Sequence, residues 1–177
     1  MEKTGTTKIT SGKYRGRKIL TPGGNTHPMG SREKLALFNM LGGKIKGALV
    51  LDAFAGSGAL GIEALSLGAE EVVFIEKSAA ASDIIKKNLK TLGIGDEAKI
   101  IQKTVSHIAP ELAQFDVILA DPPYDKFDLS EVLSLMPLLK DEGIMILSHP
   151  DTPPVLPGLI LEKTRQYASA HISFYQK

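Results

Sequence analysis

Ala48-Leu-Val-Leu-Asp-Ala-Phe-Ala-Gly-Ser-Gly-Ala-Leu-Gly61 decides the fold. Ala48 to Ala53 is an apolar run of strand length, interrupted only by the carboxylate of Asp52 near its end. Gly56-Ser57-Gly58-Ala59-Leu60-Gly61 then fits G-x-G-x-x-G and opens a helix expected from about Ala59 to Leu67. Strand, glycine turn and helix in that order make the first unit of a parallel sheet, with a ligand site where the strand ends.

Downstream the same rhythm repeats. Glu71–Ile75 reads as a strand, Ala79 to Leu92 as a helix closed by Gly93, and Ala98 to Gln102 as a third strand. A short helical stretch follows Val105. Phe115–Ala120 is the fourth strand, Leu129 to Leu139 a helix, and Glu142 to Leu147 the fifth strand. Repeated βαβ units imply a mostly parallel, doubly wound sheet covered on both faces. Leu159–Lys163 and Ala168–Phe174 are separated by too few residues for a parallel crossover, so they predict an antiparallel hairpin at the sheet edge. That arrangement is typical of class I methyltransferases, an expectation from fold analogy.

Upstream, Lys8 to Leu20 mixes β-formers with glycines and predicts a small hairpin, followed by a turn or linker at Pro22-Gly-Gly-Asn25. Ser31 is placed to cap a helix whose apolar face is Leu35, Leu37, Phe38, Met40 and Leu41. The organisation expected is one domain over 1–177: a basic hairpin and linker at 1–30 and a catalytic core at 31–177.

Bulk properties narrow the classes. A chain of 177 residues suits one well-buried domain. No apolar run approaches the ~20 residues that span a bilayer, and Met1 to Gly5 lacks the apolar core of a secretory signal. Without cysteine there is no disulfide framework or thiolate metal site, and the four histidines show no ligand spacing. The expectation is a cytoplasmic monomer without a metal. The net charge of +1 hides a division: residues 1–46 carry ten Lys or Arg against two acids, leaving the remainder at −7. A basic N-terminal end points to an anionic partner such as nucleic acid, whose phosphates supply sequence-independent affinity.

The loop chemistry leaves two cofactors in competition. Glu76 ends the second strand about where a dinucleotide site keeps its ribose-binding acid, so NAD fits the glycine pattern. Asp52 and Phe54 count against it, because a carboxylate beside pyrophosphate repels it. Next to the ammonium of S-adenosylmethionine (SAM) the same carboxylate is useful. Asp121-Pro122-Pro123-Tyr124 strengthens that reading. Asp121 leaves the fourth strand at its C-terminal end, while the prolines fix the backbone and donate no hydrogen bond. An exocyclic base amine is a poor nucleophile, its lone pair being delocalised into the ring. Asp121 and the Pro122 carbonyl can accept its two hydrogens and favour a pyramidal nitrogen, and Tyr124 can stack on an extruded base.

The chain resembles the RsmD family, bacterial methyltransferases of the N2 amine of a guanine in 16S ribosomal RNA. The resemblance runs through Ile9-Thr-Ser-Gly-Lys-Tyr-Arg-Gly-Arg-Lys18, Leu37–Leu41, Leu51–Gly61, Asp121–Tyr124 and Ile172–Tyr175. It implies that Asp52, Phe54, Ala55, Gly56, Ser57 and Gly58 surround the methionine end of SAM. By the same resemblance Glu76, beside Lys77, holds the ribose hydroxyls, and Thr104 and Val105 lie by the adenine. Lys13, Arg15, Arg17 and Lys18 would grip rRNA phosphates, on a substrate presented by the small ribosomal subunit. Departures from the family pattern are His27-Pro28-Met29, Leu35, Thr104 and His149. Alternative readings are an adenine-N6 methyltransferase on DNA or RNA and a non-catalytic rRNA-binding assembly factor that retains the fold.

Overall fold

In the chain's computed structural model, which describes residues 4–23, 29–108, 113–167 and 170–177, seven strands join in one sheet. A separate antiparallel pair, β1 (Gly5–Lys8) and β2 (Lys18–Thr21), precedes it. The sheet strands are β3 (Leu49–Asp52), β4 (Glu71–Ile75), β5 (Ala98–Ile101), β6 (Phe115–Ala120), β7 (Leu139–His149), β8 (Ile160–Gln166) and β9 (His171–Gln176). Their order is β5-β4-β3-β6-β7-β9-β8. The first five run parallel, while β9 lies antiparallel between β7 and β8. This is the class I methyltransferase arrangement, with the antiparallel hairpin at the edge as the sequence predicts.

The helices are α1 (Ser31–Leu41), α2 (Ala59–Ser66), α3 (Ala79–Leu92) and α4 (Leu129–Ser134). Strand side chains alternate between faces, so each buried strand serves two cores. Val50, Val72, Phe74, Val117 and Leu119 meet α1, α2, α3 and the N-terminal hairpin on one side. Leu51, Val73, Ile75, Ile118 and Ala120 meet Val132, Leu135 and Leu138 on the other. Among the described residues no helix is long and apolar enough to cross a membrane. Sequence order reverses between β3 and β6, which leaves a crevice at their carboxyl ends.

Three local expectations need correction. Ser31 is the first helical residue, not the cap: Gly30 holds that position and no side-chain cap bond forms. The helix expected over 129–139 stops at Ser134, continues as a 3-10 turn at Met136–Leu138, and gives way to β7. Pro137 cannot donate to a continuing helix. The fifth strand is correspondingly longer, with a register shift against β6 in which Glu142 adopts φ 62°. The N-terminal hairpin runs from Gly5 to Thr21 and not from Lys8 to Leu20: its strands are its outer four residues on each side, and residues 9–17 form the connection. His27 and Pro28 lie outside the described residues.

That connection is pinned to the core by buried polar groups. Glu63 of α2 accepts from the Thr10 N–H at 2.7 Å, the Thr10 hydroxyl at 2.9 Å and the Ser11 N–H at 3.3 Å. Its fourth partner is the Lys34 ammonium at 3.1 Å, and both side chains are fully buried. Lys34 also donates to the Lys8 carbonyl at 2.8 Å. Ser66, at the end of α2, accepts from the Tyr14 N–H at 2.9 Å and donates to the Ser11 carbonyl at 2.5 Å. A buried charge is tolerated only when paired and hydrogen-bonded, so the hairpin is built into the core's electrostatics.

Candidate active site

The crevice is lined where three strands end. Asp52 closes β3, Glu76 follows β4, and Asp121 follows β6. Between Asp52 and α2 the chain turns through Ala53 to Gly58. Gly58 sits at φ 78°, a left-handed conformation that glycine adopts without strain and that swings the backbone into α2. Gly61 is required for a different reason: a Cβ there would stand 2.3 Å from the Phe74 ring, so helix and strand could not pack.

Each carboxylate has a structural bond and a further electrostatic role. Asp52 accepts from the Gly61 N–H at 2.9 Å, capping the first turn of α2 from nine residues away. Glu76 accepts from the Gly56 N–H and from the Ser78 N–H, both at 2.8 Å, so one carboxylate holds the glycine turn and the start of α3 together. Burial pushes the Asp52 carboxyl up to about 7; the Gly61 bond opposes this, and the charges of Asp121 and Glu76 add to it. Burial likewise raises Asp121 to about 6, against the hydrogen bond from Ser148 and with a repulsion from Glu33 of α1. Three carboxylates thus converge on one cleft, and among the described residues none of them forms an ion pair with a basic side chain. The cleft suits a cation and would repel a pyrophosphate.

The loop after β6 has the stiffness its prolines imply. Pro123 gives its carbonyl to the Lys126 N–H at 3.1 Å, starting a 3-10 turn at Tyr124–Lys126. No backbone N–H among the described residues occupies the Pro122 carbonyl. Tyr124 is 36% exposed, and its hydroxyl meets the Ser148 hydroxyl at 2.5 Å. Ser148 also favours the charged form of Asp121, so it influences both the carboxylate and the aromatic ring. Burial first, and Asp121 next, raise the Tyr124 phenol to about 12, so it stays a neutral donor at working pH.

The sequence-predicted residues separate into groups. Asp52, Phe54, Ala55, Gly56, Ser57, Gly58 and Glu76 share one loop system, and Asp121, which opens the segment to Tyr124 after β6, stands near enough to act on Asp52. Lys77 is exposed just past Glu76. Val105 is buried, whereas the Thr104 hydroxyl turns back to His107 Nδ1 at 2.5 Å within its own turn. Lys13, Arg15, Arg17 and Lys18 are all exposed, on the hairpin and not in the cleft. Their anchor, Ser66, lies at the far end of α2, about 12 Å along eight helical residues from the glycine turn. His149 is buried beside β9, with Ser173 on Nε2 and the Asp151 carbonyl on Nδ1, both at 2.8 Å, and burial lowers its pKa.

Sequence reading missed Ser148, Glu33 and Asn88. Asn88 accepts from the Leu20 N–H at 2.8 Å and donates to the Leu20 carbonyl at 2.9 Å and the Ser57 carbonyl at 3.0 Å. One buried amide therefore joins the hairpin to the glycine turn. Its signal was available: a polar residue inside the apolar stripe Ile84, Ile85, Leu89 and Leu92. Ser148 and Glu33 come from distant segments and carry no such mark.

Known proteins match the chain in sequence and in fold. The family model described as Conserved hypothetical protein 95 matches residues 7–176. Ribosomal RNA small subunit methyltransferase D of Haemophilus influenzae is 37% identical over 173 residues, covering 90% of this chain and 89% of that protein. The solved Escherichia coli protein yhhF superposes with a TM-score of 0.87 at 33% identity, covering 98% of both chains. SMU.776, solved complexed with SAH, shares the fold alone, at a TM-score of 0.72 and 12% identity over 92% of this chain and 54% of that one. With its sequence matched almost end to end and its fold matched over 98% of its length, the chain belongs to the RsmD family of methyltransferases.

Proposed function

We propose that this protein transfers a methyl group from SAM to the exocyclic N2 amine of a guanine in 16S rRNA of the small ribosomal subunit. The observation that carries the reading is the meeting of a carboxylate-lined cleft at β3 and β4 with the rigid Asp121–Tyr124 loop at β6. SAM fits the cleft because Asp52, its pKa raised by burial and further by Asp121 and Glu76, gains from an adjacent cation. Asp52 and the turn to Gly58 would take its methionine end, Glu76 its ribose, and the segment at Thr104 and Val105 its adenine. Held there, SAM supplies a methyl group activated by a sulfonium. The name of the Haemophilus relative supports small-subunit rRNA as the substrate.

The chain's own groups then act on the amine. Asp121 and the Pro122 carbonyl accept its two N–H hydrogens, which turns the nitrogen lone pair out of the base plane. Tyr124, steadied by Ser148, stacks on the base and holds the nitrogen in line. As the nitrogen gains its methyl group it becomes acidic, and Asp121 takes the proton; a carboxyl near 6 suits that transfer at neutral pH. Residues 1–30, with Lys13, Arg15, Arg17 and Lys18, serve as the RNA-gripping extension, and 31–177 as the catalytic core. The protein acts as a monomer in the cytoplasm.

The test is methyl transfer from labelled SAM to 30S particles and to naked 16S rRNA, with the modified nucleoside identified. N2-methylguanosine is expected. N6-methyladenosine in its place, or no transfer to any ribosomal substrate by a chain that binds SAM, would overturn the proposal.

A further inference from the structure

The hairpin connection does not stand free of the body. Arg17 donates from its guanidinium to the Thr91 carbonyl of α3 at 3.1 Å. One turn earlier on α3, Asn88 holds Leu20 of β2 by the two bonds described above. The hairpin and α3 therefore present one continuous, fixed surface. The exposed residues of α3 are Asp83, Lys86, Lys87, Lys90 and Thr91, together with the first two alanines. Asp83 is taken by Lys86 at 2.9 Å, with a weaker attraction from Lys87. Neither Lys87 nor Lys90 forms an ion pair with an acid among the described residues.

A second observation comes from the hairpin register. Lys8 of β1 stands directly opposite Lys18 of β2, with no acid between them. Like charges in facing positions of an antiparallel pair are unfavourable. Across hairpin and helix, the exposed basic residues are Lys8, Lys13, Arg15, Arg17, Lys18, Lys86, Lys87 and Lys90, against Asp83 alone. A solvated helix face ordinarily mixes both signs. Cations that face one another and share a rigid surface are relieved by a polyanion whose phosphates lie between them.

We infer that Lys87 and Lys90 of α3 extend the RNA-binding surface beyond the hairpin and hold backbone phosphates beside those held by Arg17 and Lys18. This rests on the reading of RNA as substrate. Neither lysine reaches the crevice: the helix begins beside Glu76, and Lys87 and Lys90 lie two to three turns along it. They are binding residues for the RNA backbone, without a part in methyl transfer.

The experiment measures binding of the full chain to 16S rRNA across a series of salt concentrations. It compares wild type, Lys87→Gln/Lys90→Gln, and Lys163→Gln/Arg165→Gln, which loses the same charge from the exposed strand β8 at the opposite sheet edge. The α3 variant should lower the slope of log affinity against log salt by about 1.4 to 1.8, the value for two lost phosphate contacts. The β8 variant should leave the slope unchanged, and SAM affinity should be the same in all three. A slope in the α3 variant equal to wild type, or equal losses in both variants, would overturn the inference while the substrate reading stands. A wild type whose RNA binding does not respond to salt would instead remove the substrate reading, and this surface with it.

Discussion

Asp52→Asn separates what the buried carboxylate contributes to folding from what it contributes to binding. The asparagine keeps the side chain's shape, and its carbonyl oxygen can still accept from the Gly61 N–H, which the aspartate does at 2.9 Å. In the wild type, burial raises the carboxyl from 3.8 to about 7. A folded-state value above the unfolded one means that the folded chain holds the proton more tightly. The associated stability is fully present below about pH 4 and is lost as pH rises through about 7. Roughly three pH units at about 1.4 kcal/mol each give about 4 kcal/mol. Asparagine does not titrate, so its stability relative to wild type should rise by about 4 kcal/mol between pH 4 and pH 8. Urea unfolding of both proteins at each pH measures this, and taking the difference cancels groups that titrate alike in the two. Binding should move the other way. At pH 7 the wild type is about half protonated and releases about half a proton when a cation docks, read by calorimetry in two buffers of different ionisation enthalpy. The variant should bind SAM more weakly and release none. Parallel stability curves for the two proteins, with equal SAM affinity, would refute the account of a charge held in waiting for a cation.

Lys34→Met should destabilise the chain by about 3–5 kcal/mol, because it strands the buried Glu63 carboxylate; chemical denaturation measures it, and a loss below about 1 kcal/mol would contradict the pairing. Ser148→Ala should lower kcat for RNA methylation about tenfold, the scale of one hydrogen bond to a charged group, with SAM affinity unchanged. An equal loss in SAM binding would place Ser148 in the wrong role. The rate should also fall about tenfold per pH unit below about 6, since a protonated Asp121 cannot accept the amine hydrogen. The pH profile of Asp121→Asn, whose residual activity should show no such limb, checks the assignment.

Legibility in the sequence followed how local each determinant is. β4, α3 and β6 fall where the pattern puts them, since their apolar periodicity, the Ser78 cap and the Gly93 stop act within a few residues. The helix expected over 129–139 is cut short because Pro137 and the pairing of Leu139 with Phe115 end it, and the second cause lies 24 residues away. Ser31 lost the cap to Gly30 in a helix anchored by the long-range Lys34–Glu63 pair.

The sequence by itself determined the strand-turn-helix order, the glycine turn, the Asp121–Tyr124 loop and the basic arm, because each is carried by contiguous residues. Folding alone brought Asp52, Glu76 and Asp121 together, set Ser148 against Tyr124, and used Asn88 to join the hairpin to the glycine turn. The physical reason is that burial and electrostatic coupling depend on distances between segments far apart in the chain. A carboxylate's identity is written at one position, but its proton affinity is set by the neighbours that folding brings to it.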